Sequence, residues 1–399
     1  MPARTRAKSG QARRASIFQT DLCTRVLAPW CFHLRDFFHL AMTSAACWRA
    51  MSETLEVLDF AGKPNISDAD VRAAVKRFPN LRSMTFDMIS TITDATIIFE
   101  LPRLASLREL KLCYCYVTIA GLRALPPKLE SLRLASRQFL SDDPERILSD
   151  EMLMTAVRRC TRLRSLDLSY GLCERSAITD AAIVEIATLA GTLKELDLSH
   201  SNVTDVALAH VVERCDLDFL GVDCCDNMTD VSIFAIAAHC PGLKQLMMRG
   251  TPGESRVTEA SIPALARCVS LTSLKLCSRN TLTDCSIVPL VSHLSRLVEL
   301  NLHDCSIGDL TGLAIGRSCP MLEKLELEDT SAFDGELRGR RAGFATERSI
   351  SDAFMVAVAS GCRRLRLLRL SSDKITDLSL LALARWSIDL RLLIRDVRK

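Results

Sequence analysis

A short leucine pattern recurs along the chain and limits the folds open to it. The pattern L-x-x-L-x-L first occurs at Leu55 and returns at intervals of 22 to 43 residues, with a mean near 28 and a last partial copy at Leu390. Repeats of 20–50 residues are typical of solenoids, in which each unit buries its apolar face against its neighbours. The clearest copies begin at Leu163, Leu193, Leu271, Leu297, Leu322 and Leu365.

The second half of each unit has the features of a capped helix. Threonine or serine is followed by aspartate and then by an apolar run of helical period, as in ITDAAIVEIATLA from Ile178 and VTDVALAHVVERC from Val203. The hydroxyl can accept the first free backbone N–H, and an acid in the first turn suits the helix dipole. Apolar residues at i, i+3, i+4 and i+7 form one buried stripe. The sequence therefore predicts about twelve strand–loop–helix units.

Seventeen cysteines accompany the repeat. No C-x-x-C pair occurs, which argues against finger-type or RING-type zinc sites. Most cysteines fall instead at two positions of the unit, where the helix ends, as at Cys240 and Cys319, and just after the strand, as at Cys225 and Cys305. Free cysteine is among the most buried residue types, so we expect reduced thiols in the core and a reducing compartment.

The whole unit, C-x-x-L-x-x-L-x-L-x-x-C-x-x-[IL]-T-D, resembles the cysteine-containing class of leucine-rich repeats. That class is common in F-box proteins, the substrate receptors of cullin-based ubiquitin ligases. The resemblance covers residues 55–399. It implies an α/β fold: a horseshoe-shaped leucine-rich repeat solenoid over residues 52–399, with a parallel sheet on the concave side and helices outside.

Residues 18–51 resemble an F-box, a small all-α segment that binds a Skp-type adaptor. The resemblance implies that the chain is the substrate-recognition subunit of an SCF ligase, joined to its cullin through the adaptor. The alternative is a helical cap on the first repeat, which would leave a plain leucine-rich scaffold without a link to ubiquitin. The residues that match the two F-box helices and the tryptophan after them are Leu22, Val26, Leu27, Leu34, Asp36, Phe37, Leu40 and Trp48.

Residues that alternate with the leucines should line the concave face, because successive side chains of a strand point to opposite sides. Their charge changes sign in blocks, with acids around Asp197 and Glu326 and bases around Lys111 and Arg249. Such a patchwork suits a protein partner better than a polyanion. The candidate binding residues are Lys111, Arg133, Asp167, Asp197, Met247, Arg249, Lys275, Asn301, His303, Glu326 and Arg369.

Four long intervals carry extra residues between strand and helix. The longest, DTSAFDGELRGRRAGFATERSISD, contains Arg338, Arg340, Arg341 and Arg348. Arginine forks pair with carboxylates and phosphates, so this loop is a candidate site for an acidic or phosphorylated target segment. The alternative is a flexible loop without a ligand.

Residues 1–17 form a basic leader, for which a disordered tail, a nuclear address and a mitochondrial address are alternatives.

The composition of the rest of the chain excludes two functional classes. Without the first 20 residues the chain has 46 basic and 48 acidic side chains, which does not suit nucleic-acid binding. No uncharged stretch exceeds about 13 residues, too short to span a membrane.

Motifs of enzymes are also missing from the sequence. Histidines are scattered, and no H-E-x-x-H, phosphate-binding G-x-x-x-x-G-K-[ST] or G-x-S-x-G occurs. We therefore predict a non-enzymatic protein without metal or cofactor, in the cytoplasm or the nucleus.

Overall fold

The computed structural model describes residues 54–63, 65–89, 91–135, 148–169, 178–250, 255–277, 282–327, 350–372, 374–386 and 391–395. The chain divides into two compact units, Met1–Arg133 and Leu134–Lys399. The predicted F-box segment and the arginine-rich loop lie outside the described residues.

Every predicted leucine pattern forms a β-strand, and the paired strands are parallel. Within each unit the strands follow one another in chain order. The first unit contains β1 (Val57–Asp59), β2 (Ser83–Asp87), β3 (Glu109–Cys113) and, at its boundary, β4 (Ser131–Ala135). The second contains β5 (Ser165–Asp167), β6 (Glu195–Asp197), β7 (Phe219–Gly221), β8 (Gln245–Met247), β9 (Ser273–Lys275), β10 (Glu299–Asn301), β11 (Lys324–Leu327), β12 (Leu367–Ser371) and β13 (Arg391–Arg395).

The strands pair in register, so that equivalent positions of consecutive repeats become neighbours. Leu166 lies opposite Leu196, which lies opposite Leu220, and all three are at most 1% exposed. Burying one leucine contributes about 1.5–3 kcal/mol relative to leaving it exposed. The leucine rows therefore form a core that continues from one repeat to the next, as the sequence predicts.

The helices pack against this core on one side of each sheet. Most begin directly after a threonine or serine whose hydroxyl accepts a backbone N–H, as Thr229 does from Val231 and Ser149 from Met152. The α-helices are α1 (Asp68–Arg77), α2 (Ile119–Arg123), α3 (Asp150–Arg159), α4 (Asp180–Glu185), α5 (Asp205–Arg214), α6 (Asp230–His239), α7 (Asp284–Val291), α8 (Asp309–Ser318), α9 (Asp352–Gly361) and α10 (Asp377–Trp386).

Two repeats depart from the predicted α-helix. The repeat after β8 contains a 3₁₀ helix, Ile262–Arg267, which begins with proline as its second residue. Proline cannot donate an intrahelical hydrogen bond, and a short 3₁₀ segment tolerates this. The repeat after β2 contains a π-helical turn, Thr96–Glu100, followed by a 3₁₀ turn, Leu101–Arg103.

In most repeats, the aspartate at the start of the helical segment has a second partner, in the following repeat. The carboxylate of Asp205 accepts hydrogen bonds from the backbone N–H and hydroxyl of Thr229, at 2.9 and 2.6 Å. We call this arrangement the cap ladder, because each such aspartate holds the cap of the next repeat. It recurs in Asp68–Thr93, Asp94–Thr118, Asp150–Thr179, Asp180–Thr204, Asp230–Thr258, Asp309–Ser351 and Asp352–Thr376.

The thirteen cysteines in the described part of the chain are free thiols, and ten of them are buried. Cys240 and Cys319, at helix ends, lie near carbonyl oxygens of the preceding repeat. Burial raises the pKa of each of these two thiols to about 12. They therefore pack as small apolar side chains and do not supply a thiolate at neutral pH.

Candidate ligand-binding face

The side of the second unit's sheet opposite its helices carries most of the predicted binding residues. We call it the open face. Register brings equivalent residues of consecutive repeats side by side, and all but Gly221 are predicted binding residues. Their order is Asp167, Asp197, Gly221, Met247, Lys275, Asn301, Glu326 and Arg369.

One end of this row is acidic, and a glycine shapes it. A methyl group on Gly221 would lie 2.5 Å from Asp197 Oδ1, so the missing side chain makes room for the carboxylate. The backbone N–H of Ser199 donates to the same oxygen at 2.9 Å. Burial raises the pKa of Asp197, and the charges of Asp167 and Asp223 act in the same direction, against the hydrogen bonds from Ser199. Asp197 is therefore a crowded, partly desolvated carboxylate.

A cleft of about 410 Å³ opens at this acidic end. The aromatic ring of Phe219 is half-buried in its wall. Its charged lining residues are Asp167, Glu195, Asp197, Asp218 and Lys244, so acids outnumber bases four to one. Lys244 lies 3.1 Å from Asp218, so its positive charge offsets mainly the charge of that one carboxylate. The remaining charge favours a cationic or hydrogen-bond-donating group.

Four predicted residues meet at the other end of the row, around the carboxylate of Glu326. Asn301 Nδ2 donates to Glu326 Oε2 at 2.6 Å, and His303 Nε2 lies 3.5 Å from the same oxygen. Arg369 lies 3.4 Å from Oε1. The side chains of Glu326 and His303 are 16% and 14% exposed, and that of Arg369 is 40% exposed. Arg369 is therefore the most accessible charge of this group.

Between the two ends, the charges are fewer and less constrained. Lys275 Nζ lies 3.7 Å from Glu299 Oε1, and Ser273 donates to the other oxygen of that carboxylate. Met247 is half-buried, and Arg249 is exposed. The middle of the open face thus offers one apolar group, Met247, and one exposed cation, Arg249, beside the pair of Lys275 and Glu299.

Two side chains that the sequence places on this face are in fact largely buried. Asn301 is 8% exposed, because its amide holds Glu326 and its carbonyl oxygen accepts from the backbone N–H of His303. Asp223, which follows β7 and alternates with its buried residues, is 7% exposed and accepts from the backbone N–H of Arg249 at 2.6 Å. Both groups orient neighbours and offer little surface to a ligand.

The other predicted residues lie elsewhere. Lys111, on β3, is exposed in the first unit, and Arg133, on β4, is half-buried. The predicted adaptor-binding residues and the loop arginines lie outside the described residues. They are Leu22, Val26, Leu27, Leu34, Asp36, Phe37, Leu40, Trp48, Arg338, Arg340 and Arg341.

No group of three histidine, cysteine, aspartate or glutamate side chains in the described part of the chain could hold a metal ion. No helix among these residues is long and apolar enough to cross a membrane. The arrangement can form ion pairs, hydrogen bonds and apolar contacts with a partner.

Comparison with family models finds no match. Among curated proteins, the chain is 32% identical to antagonist of mitotic exit network protein 1 of Eremothecium gossypii, over 40% of this chain and 38% of that protein. It is 28% identical to F-box/LRR-repeat protein 4 of Bos taurus, over 55% and 37% of the two chains. It is 24% identical to a transport inhibitor response 1-like protein of Oryza sativa, over 70% and 50%. The chain thus spans half or less of each relative's length.

Solved structures show the same fold. The complex of Rad7 and Elc1 from yeast contains a chain that matches with a TM-score of 0.60 at 16% identity, over 94% of this chain and 92% of that one. A chain of the TLR13–ssRNA13 complex matches with a TM-score of 0.54 at 16% identity, over 88% and 50%. The predicted leucine-rich repeat fold and the resemblance to F-box/LRR-repeat proteins are confirmed.

Proposed function

Because the chain resembles F-box/LRR-repeat proteins, we propose that it is the substrate-recognition subunit of an SCF-type cullin–RING ubiquitin ligase. Residues 18–51 bind the Skp-type adaptor, the open face of the repeats binds the target protein, and other subunits perform catalysis. The observation that carries the proposal is the open face itself, with exposed and half-buried polar groups on consecutive strands. The F-box/LRR relative and the yeast Rad7–Elc1 complex, as named, support an assembly with protein partners.

The open face suggests which targets fit. Its acidic cleft suits a lysine or arginine side chain, whose apolar stem would pack against Phe219. The exposed Arg249 and Arg369 suit carboxylates or phosphates of the same target. A target segment that carries both basic and acidic groups matches this arrangement of an acidic cleft and exposed arginines better than a uniformly charged one. Recognition of an acidic or phosphorylated segment by Arg338, Arg340 and Arg341 remains a proposal.

Reconstitution with purified adaptor tests the ligase assignment. We expect the full chain to co-elute with a Skp-type adaptor in size-exclusion chromatography. The double variant L34A/F37A should lose the complex and keep its circular dichroism spectrum and unfolding midpoint. Phe38→Ala, in the same segment but outside the motif, is the matched control and should keep the complex.

The outcomes separate the proposal from its alternative. A wild-type chain that fails to bind any Skp-type adaptor would contradict the ligase assignment and leave a leucine-rich scaffold. If L34A/F37A instead lowers the unfolding midpoint of the repeats, residues 18–51 act as a structural cap.

Target binding is tested separately on the open face. Substrates captured with the wild-type chain should be lost in the charge-removal variant D167N/E195Q and retained in Asp216→Asn. Asp216 is an exposed carboxylate outside the cleft lining. Equal loss in both variants would argue against the cleft as the recognition site.

A further inference from the structure

An apolar band runs across the outer side of the helices in the second unit. Its positions are the second and the fifth residue after each cap, from Thr179 to Thr376. Eight consecutive repeats supply two positions each, and none of these sixteen residues is charged or polar apart from the thiol of Cys285. In the four repeats before Thr179, the same positions include Arg72, Arg123 and Glu151.

These residues face solvent and not the core. All eight residues at the second position are exposed. The most exposed members of the band are Val206 (75%), Leu381 (66%), Leu378 (64%), Leu310 (62%), Val231 (57%) and Phe234 (52%). The outer side of a helix on a soluble protein normally carries charged and polar residues. An uncharged row over eight repeats therefore needs an explanation other than packing within the unit.

The area of the band is that of a protein interface. A large apolar side chain offers on the order of 150–200 Å² when fully accessible, so the six most exposed members present about 600 Å² together. Even the largest apolar patch on a typical monomer covers only about 300–600 Å², and standard interfaces bury about 800 Å² per partner. The smaller members, such as Val288 and Val356, extend the band toward that value.

We propose that the band is the interface of a homodimer, in which two copies of this chain face each other through the helices of the second unit. A second copy is the occupant that matches the band best. Its helices have the same spacing as the helices of the first copy, so the side chains of one copy can fit into the grooves between the helices of the other. A two-fold axis places the same surface on both sides, so an uncharged band meets an uncharged band. Neither copy would bury an unpaired charge.

The close approach of two helices supports a rigid surface near one end of the band. A methyl group on Gly361 would lie 1.8 Å from the carbonyl oxygen of Gly316, so α8 and α9 are in backbone contact. Leu310 and Leu313 of α8 and Val356 of α9 lie on this pair. A preorganised surface loses little conformational freedom when it associates.

Sedimentation equilibrium on the full chain, over a concentration series, tests the proposal. We expect twice the chain mass for the wild type. The triple variant V231E/L310E/L378E should weaken dimerisation by at least about 100-fold, because each charge enters the symmetric interface twice. Glutamate in the first turn suits the helix dipole, so these helices should still form.

Ala69→Glu is the matched control, since Ala69 occupies the same position of α1 and lies outside the band. It should leave the dimer intact. A second readout does not depend on the folding of the triple variant. Cys285, which lies within the band, is the exposed cysteine of the described residues. Its alkylation, followed on its own peptide by mass spectrometry, should slow as the wild-type concentration rises.

Interfaces of this size range from micromolar to picomolar affinity, so a wild-type chain that stays monomeric at about 100 μM would overturn the proposal. The band would then belong to a different protein partner or to solvent. A dimer that survives the triple substitution, or one in which Cys285 reacts at a rate independent of concentration, would overturn it as well.

Discussion

The cap ladder predicts that one carboxylate stabilises two repeats at once. Asp205, in the first turn of α5, accepts four hydrogen bonds from the next repeat. They come from the backbone N–H and hydroxyl of Thr229, at 2.9 and 2.6 Å, and from the same groups of Ser232, at 3.1 and 2.5 Å. Asp205→Ala removes the acceptor of all four. The two hydroxyls can rotate toward water, but the two N–H groups keep fixed directions.

The expected cost follows from these contacts. Hydrogen bonds to a charged group are worth about 1.5–3 kcal/mol each, and the figure falls where water can replace the lost acceptor. Because the site is only partly buried, we expect a loss of about 2–3 kcal/mol in the free energy of unfolding, close to the value of one such bond that water does not restore. Asp216→Ala is the control. Asp216 pairs with Lys194 at 2.6 Å, but its side chain is 81% exposed, so the loss should stay below about 1 kcal/mol.

The pH dependence of the stability loss in Asp205→Ala distinguishes the contribution of the Asp205 charge from that of its packing. Burial raises the pKa of Asp205, but hydrogen bonds from Ser232 and Thr229 outweigh it and hold the value below the ordinary 3.8. A carboxyl whose pKa is lower in the folded state stabilises the protein above its unfolded pKa, and this contribution is lost as the pH falls through the folded value. The deficit of Asp205→Ala should therefore shrink in acid.

Urea denaturation followed by circular dichroism measures these differences. The assay compares the wild type, Asp205→Ala and Asp216→Ala at pH 7 and at pH 3. Equal midpoints for the two variants at pH 7 would refute the ladder as a stabilising device. An Asp205→Ala deficit that does not change with pH would refute the electrostatic part of the argument.

Three further substitutions test two close packing contacts and one buried charge. Gly221→Ala should lower the free energy of unfolding by about 1–3 kcal/mol in urea denaturation, because the new methyl group meets the carboxylate of Asp197; a neutral effect would mean that the carboxylate moves freely. Asp197→Asn should raise the unfolding midpoint at pH 7 and lose this advantage below pH 3.8, since the raised pKa of Asp197 means that ionisation costs folded-state stability; a lower midpoint at pH 7 would contradict this. Gly361→Ala should cost about 3 kcal/mol or more by thermal unfolding, whereas Gly191→Ala, with nothing near its Cβ, should be nearly neutral; similar midpoints would contradict the backbone contact.

The repeating core could be predicted from sequence because its signal is periodic. Leucines recur at one spacing in every unit, and each predicted pattern contains a strand. The helix caps are equally visible, since threonine or serine before aspartate marks most of them. The exceptions are α2, which follows Thr118 without an aspartate, and α8, which follows Gly308. Pro263 is a local signal against a regular α-helix, and its repeat contains a 3₁₀ helix in place of the expected α-helix.

Contacts between repeats were harder to predict. The sequence indicates that the first-turn aspartate interacts with the helix dipole. Its bonds to the following cap depend on the distance between two helices, which no spacing along the chain reveals. Asn301 and Asp223 occupy positions that alternation places on the open face. They are buried because their side chains hydrogen-bond to neighbours in the adjacent repeat, Glu326 for Asn301 and the backbone of Arg249 for Asp223.

The two kinds of aspartate differ in what they contribute, and the difference supports the proposed binding face. Asp205 and Asp230 of the cap ladder keep lowered pKa values, because hydrogen bonds from the next repeat outweigh the cost of burial. Burial raises the pKa of Asp197, and the charges of Asp167 and Asp223 add to the effect, so the charge of Asp197 reduces stability at neutral pH. A bound cation would offset this cost, and the energy recovered would add to the affinity. Carboxylates that cost stability in the free protein are typical of binding sites, and this favours the acidic cleft as the place where a basic group of the target is held.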